Sequence, residues 1–100
     1  MGEFDGKSVI ITGGALGIGG GASEAFAREG ANVTILDWNA EAGDEIVSRI
    51  TAAGGVGQFV HADAGTSDGC RSTVDAAAEA YGGVDILFNN VGIQPPDSYV

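Results

Sequence analysis

The apolar run Val9-Ile10-Ile11 passes directly into Thr12-Gly13-Gly14-Ala15-Leu16-Gly17-Ile18-Gly19, and few folds accommodate that arrangement. It reads as a short buried strand that breaks into glycines and then opens a helix. Such a turn presents backbone N–H groups to an anion, and the helix N-terminus adds a partial positive charge. No lysine or arginine is needed. A side chain at the glycine positions would obstruct either the strand-to-helix turn or the approach of a phosphate. Because 18 of the 100 residues are glycine, the pattern alone also fits a plain glycine-rich turn in an α/β domain.

The next strand narrows the choice. Val33-Thr34-Ile35-Leu36 reads as a second buried strand with Asp37 at its C-terminal end. In a βαβ unit, an acid about 20 residues beyond the glycines accepts hydrogen bonds from adenosine ribose hydroxyls. Gly17-x-Gly19-x-x-Ala22 also fits the general Rossmann fingerprint, which accepts Ala at its last place. The same carboxylate repels a 2′-phosphate, and neither Leu16 nor Trp38 offers it a positive charge, so NAD is favoured over NADP. The alternative for Asp37 is a helix-capping or solvated loop carboxylate.

Apolar and helical segments alternate along the chain. Strands are expected near 7–12, 32–37, 56–61 and 84–89, and helices near 17–29, 39–53 and 67–81. Gly30, Gly54-Gly55 and Gly82-Gly83 mark the helix ends. Strands without polar alternation suggest a parallel sheet covered on both faces. There is no linker, repeat or charge block, so residues 1–100 are expected to form one domain.

Two motifs together, Thr12-Gly-x-x-x-Gly-Ile-Gly and Asn89-Asn90-Val91-Gly92, make the chain resemble the N-terminal half of a short-chain dehydrogenase/reductase from about Lys7 to Ile93. Gly13, Gly17 and Gly19 match the fixed glycines, and Val91 departs from the family's usual alanine. The resemblance implies a Rossmann-type, doubly wound parallel sheet, ordered 3-2-1-4 and truncated after the fourth strand. It also implies that Gly13, Gly17, Ile18 and Gly19 contact the cofactor at the glycine loop. Asp37 would hold the adenosine ribose, and Asp63 with Ala64 would meet the adenine. Asn90 and Gly92 would lie on the nicotinamide side. By the same resemblance Asn89 ties neighbouring strands together. The implied cofactor is NAD, the substrate a small alcohol or carbonyl compound, and the full-length form a homo-oligomer.

The family's catalytic pair is absent. It uses a tyrosine acid–base with a lysine four residues later, the lysine and the nicotinamide lowering the phenol's pKa. Here Tyr81 is followed at that distance by Asp85, Tyr99 stands next to the last residue, and Lys7 is the sole lysine. His61, the single histidine, reads as a structural or solvent-facing residue at the end of the third strand. One cysteine, Cys70, excludes an internal disulfide, and a single Cys with a single His excludes a Cys/His metal cluster. No catalytic residue and no metal ligand is therefore assigned. The chain is expected to supply the cofactor half of an NAD-dependent oxidoreductase, its catalytic half being absent. A non-catalytic nucleotide-binding fragment is the alternative, and an S-adenosylmethionine methyltransferase a distant third, because Thr12 stands where that class commonly has an acid.

Charge excludes other partners. Four basic against 14 acidic residues give a formal net charge of −10, unsuited to nucleic acid or an anionic membrane. No apolar run nears the roughly 20 residues of a membrane span, and the acidic start is unlike a secretory signal, which points to the cytoplasm. Gly20 and Gly21, beyond the glycines the motif needs, are expected to loosen the helix start. An apolar fourth strand, Ile86-Leu87-Phe88, is expected as an exposed edge, leaving the isolated chain marginally stable.

Overall fold

In the computed structural model, which describes residues 2–90, seven elements alternate. They are β1 (Ser8–Thr12), α1 (Gly17–Arg28), β2 (Asn32–Asp37), α2 (Ala40–Ala52), β3 (Val56–His61), α3 (Ser67–Tyr81) and β4 (Ile86–Asn89). The strands form one parallel sheet in the order β3-β2-β1-β4. β1 feeds β2 through α1, and β2 feeds β3 through α2, both helices packing on one face. The chain then returns through α3 on the other face to place β4 beside β1. The order reverses between β1 and β4, and the carboxyl ends open a crevice there.

The two faces of the sheet differ in chemistry. Toward α1 and α2, Val9, Ile11, Val33 and Ile35 meet Ala27, Ala42, Ile46 and Ile50 in one buried apolar cluster. β-Branched residues dominate the strands because their restricted rotamers suit a pleated surface. Toward α3 the contacts are partly polar: Gln58 Nε2 donates to Thr34 Oγ1 (3.0 Å) and to Ala76 O (3.1 Å), tying α3 to the sheet.

Only the inner strands are buried on both faces. β1 is buried throughout and β2 along its four central residues. β3 is only half-buried, and β4 alternates half-buried and exposed. The expectation of a sheet covered on both faces thus holds for β1 and β2. The others are the sheet's edges among the described residues, and a single helix, α3, lies over the second face. Leu87 in β4 is 61% exposed, as its place on an apolar edge implied.

Helix ends follow local chemistry. Asn39 caps α2 by accepting from Ala42 N (3.0 Å), and Thr66 caps α3 by accepting from Gly69 N (3.0 Å). α2 and α3 run within a residue of their expected bounds. β4 begins at Ile86 rather than 84, since Val84 and Asp85 lie in the approach to the strand, where Asp85 N donates to Ser8 O (2.8 Å).

Candidate cofactor site

The strand register brings Thr12, Leu36 and Asn89 level with one another, and Asp37 level with His61. The loops that leave these ends build the crevice. The glycine loop between β1 and α1 is fastened from three sides. Gly13 N donates to Leu36 O (2.7 Å), Asn90 Nδ2 donates to Gly13 O (3.3 Å), and Ser23 Oγ, fully buried, lies 2.8 Å from Gly14 O and 2.9 Å from Gly19 O.

Gly17 and Gly19 show two ways in which the loop geometry demands glycine. Gly17 has φ +57°, a left-handed conformation that costs an L side chain about 1–2 kcal/mol. A Cβ on Gly19 would land on the Gly13 carbonyl oxygen and lie 2.9 Å from Asn90 Nδ2. The first turn of α1 therefore lies directly against the loop, with backbone where a side chain would otherwise stand.

The α1 N-terminus differs from the other two. Its N-cap residue, Leu16, makes no side-chain hydrogen bond, and its first turn holds no acid. α2 and α3 each have a capping side chain and an acid, Glu41 or Asp68, in the first turn. The first bond of α1 runs from Gly20 N to Leu16 O (3.0 Å). The N–H groups of Gly17, Ile18 and Gly19 thus have no partner among the described residues. An anion supplies the acceptors such amides lack and the countercharge to the helix dipole.

Asp37 closes this arrangement from β2. Its Oδ2 accepts from Ala15 N (3.1 Å) and its Oδ1 from Asn39 N (2.9 Å), so the carboxylate lies against the glycine loop. A carboxylate has about four acceptor positions, leaving capacity for further hydroxyl donors. Asp63 and Ala64 lie in the neighbouring β3–α3 loop. Asp63 Oδ1 accepts from Gly65 N (2.8 Å), and the preceding residue, Ala62, donates its N–H to Asp37 O (3.2 Å).

Asn89 and Asn90 fasten β4 to β1. Thr12 Oγ1 donates to Asn89 Oδ1 (2.9 Å) and accepts from Asn90 N (2.9 Å). Asn89 thus has the strand-tying place expected of it, while Asn90 backs the glycine loop through its amide. Gly92 lies outside the described residues. His61 Nε2 lies 2.8 Å from Trp38 O, the geometry of an Nε2–H donating to that carbonyl, and the exposed ring sits on Trp38 with centroids 5.5 Å apart. Cys70 is exposed on α3 with Sγ 3.3 Å from Ala64 O. Among the described residues no group of three or more His, Cys, Asp or Glu could hold a metal ion.

Sequence reasoning missed Ser23 and the hydroxyl of Thr12. A serine nearly two turns into α1 carries no motif, and Thr12, though it opens the glycine motif, gives no sign in the sequence of what its hydroxyl meets. Their importance depends on which carbonyls and amides the fold brings to them.

One cavity, about 600 Å³, lies at the other end of the domain, among the C-termini of α1 and α2, with Arg28, Arg49 and Gly54 in its wall. Helix C-termini present carbonyls rather than amides, so this space lacks the backbone amide cradle of the glycine loop, and its Arg49 is paired with Glu24 at 3.7 Å. A second cavity of about 460 Å³ sits beneath the carboxyl ends of β1 and β4, lined by Thr12, Ala64, Gly65, Cys70, Leu87 and Asn89 among others.

A parallel sheet ordered 3-2-1-4, with a glycine loop and an uncapped helix at its carboxyl ends, defines a Rossmann-type α/β domain. The chain belongs to the short-chain dehydrogenase family, whose model matches residues 7–99. That family typically binds a nicotinamide dinucleotide. Among its relatives, secoisolariciresinol dehydrogenase of Forsythia intermedia is 38% identical over 95 residues, which are 95% of this chain and 34% of that protein. The 2,5-dichloro-2,5-cyclohexadiene-1,4-diol dehydrogenase LinX of Sphingobium indicum is 40% identical over 94 residues, 94% of this chain and 38% of the relative. The crystal structure of a hydroxysteroid dehydrogenase from Escherichia coli superposes with a TM-score of 0.86 at 38% identity, covering 93% of this chain and 40% of that one. The chain thus spans about a third of the length of the curated relatives it matches. Among the described residues no helix is long and apolar enough to cross a membrane.

Proposed function

We propose that this chain is the NAD-binding part of an oxidoreductase that interconverts an alcohol and a carbonyl compound. The observation that carries the reading is the Asp37 carboxylate set against the glycine loop through Ala15 N, together with the amides of Gly17, Ile18 and Gly19, which have no partner among the described residues. When bound, the nicotinamide supplies or accepts the hydride. The amides hold the diphosphate through oriented dipoles, and the Gly13–Gly19 approach lets it come close to the backbone. Asp37 accepts from the adenosine ribose hydroxyls through its remaining lone pairs. Asp63 and Ala64 line the adenine side, and Asn90 and Gly92 serve the nicotinamide-side ribose. The net charge of −10 does not oppose this, because contact dipoles act locally while scattered surface carboxylates are screened beyond about 8–10 Å.

No residue of this chain is assigned the proton transfer, since Tyr81 lacks a lysine partner and His61 Nε2 faces the Trp38 carbonyl. In the whole enzyme that step belongs to the catalytic half. The whole enzyme is a homo-oligomer acting on a small alcohol or carbonyl compound, as the family resemblance suggests, and the acidic start of the chain supports a cytoplasmic place for it.

A fluorescence titration with NADH and NADPH tests the reading. NADH should bind saturably and NADPH at least about tenfold more weakly, because a 2′-phosphate beside the Asp37 carboxylate sets like charges together. A folded sample that binds neither, or prefers NADPH, would overturn it.

A further inference from the structure

Four backbone amides from three loops converge on the two residues that end β2. Gly13 N donates to Leu36 O, Ala15 N to Asp37 Oδ2, Asn39 N to Asp37 Oδ1, and Ala62 N to Asp37 O. The two oxygens of one carboxylate therefore hold different segments, the glycine loop on one side and the start of α2 on the other. We propose that Asp37 is a positioning residue as well as a ribose acceptor: its carboxylate latches the glycine loop through Ala15 N before any dinucleotide arrives. The latch fixes the residue that immediately precedes Leu16 and the Gly17–Gly19 amides, and so sets where those amides face. What the loop is positioned toward rests on the dinucleotide reading above. The latch itself is a property of the free chain.

The chemistry supports one residue in both roles. An ionised carboxylate only accepts, and with two of about four positions used by amides it retains two for the ribose. Hydrogen bonds to a charged acceptor are also stronger than neutral ones. Ala15 is buried, so water does not readily replace its partner. Alanine at this position removes both acceptor oxygens, so neither the Ala15 nor the Asn39 amide keeps its partner on residue 37. The other ties of the loop, from Ser23, Asn90 and Leu36, remain in place, and the variant is expected to keep its fold.

Amide hydrogen exchange on the full chain without nucleotide tests the latch. In the wild type, Ala15 should exchange at least about tenfold more slowly than the unbonded Ile18 amide. Equal rates would sink the latch without any variant. In Asp37→Ala, Ala15 should exchange about tenfold faster while Ile11 in β1 is unchanged, and acceleration at both would make Asp37 a support of the whole fold instead. Reduced nicotinamide mononucleotide, which has a phosphate but no adenosine ribose, gives the second readout. Its affinity should fall about three- to tenfold in Asp37→Ala, and that of NADH further. Weakening of NADH alone, with Ala15 exchange unaltered, would leave Asp37 a ribose contact only. If the wild type binds neither nucleotide, the dinucleotide reading fails, and exchange at Ala15 still decides the latch.

Discussion

Ser8 and Ser23 are both buried serines, and truncating each to alanine should have opposite consequences. Ser23 Oγ–H shares its one proton between Gly14 O (2.8 Å) and Gly19 O (2.9 Å). Gly19 O retains the helical bond from Ser23 N in the alanine variant, since residues four apart are so paired. Gly14 O, also buried, has no other donor among the described residues. Packing is close at this point, because a Cβ on Gly14 would lie 2.9 Å from Ser23 Oγ. Removing one oxygen leaves a space too small for a replacement water. The orphaned carbonyl should therefore cost about 1–2 kcal/mol, within the range for a buried group that loses its partner. For a domain of this size that corresponds to a Tm lower by roughly 5–15 °C. Ser8 Oγ, by contrast, is buried without a partner among the described residues, so Ser8→Ala removes an unsatisfied hydroxyl and should be neutral or stabilising by up to about 1 kcal/mol. Urea unfolding of the two variants beside wild type measures both signs. A Ser23→Ala loss under about 0.3 kcal/mol, or a Ser8→Ala loss as large as that of Ser23→Ala, would refute the hydrogen-bond reasoning.

Three further outcomes are expected. Gly19→Ala should abolish measurable NADH binding in a titration, since its Cβ coincides with the Gly13 carbonyl oxygen, whereas Gly17→Ala should lose only about 1–2 kcal/mol of unfolding stability to backbone strain. The extra glycines at the start of α1 should separate under thermal unfolding. Gly21 faces open space and Gly21→Ala should gain up to about 1 kcal/mol, while a Cβ on Gly20 would crowd Ala15 O at 3.0 Å and Gly20→Ala should gain less or lose stability. Burial pushes the Tyr81 phenol above its ordinary value of 10.0, so the unfolded chain ionises first as pH rises. Its contribution is complete below about pH 10 and lost as pH climbs through the folded-state value. Urea midpoints between pH 9 and 11 should fall for wild type and fall less steeply for Tyr81→Phe.

The alternation of strands and helices, the parallel class and the position of the glycine loop were legible in the sequence because each is local. β-Branched runs make strands and glycines end helices, whatever the rest of the chain does. Gly17 and Gly19 were legible for the same reason, since the turn that needs them is built within one short segment. The sheet order came from the family resemblance rather than from the pattern, because a crossover helix says that strands are parallel but not which edge the next strand joins. Tertiary structure alone decided which polar groups hold the site together. Ser23 meets Gly14 O, Thr12 meets Asn89 and Asn90, and Asp37 meets Ala15 N only after residues separated by 9, 77 or 78, and 22 positions are folded together. It also decided burial. Ile10 and Leu87 are comparable apolar strand residues in sequence, yet one sits in a central strand under α3 and the other stands largely exposed on an edge. Hydrogen bonds and burial depend on what lies across from a residue, and that is set by the packing of distant segments rather than by the residue's neighbours in the chain.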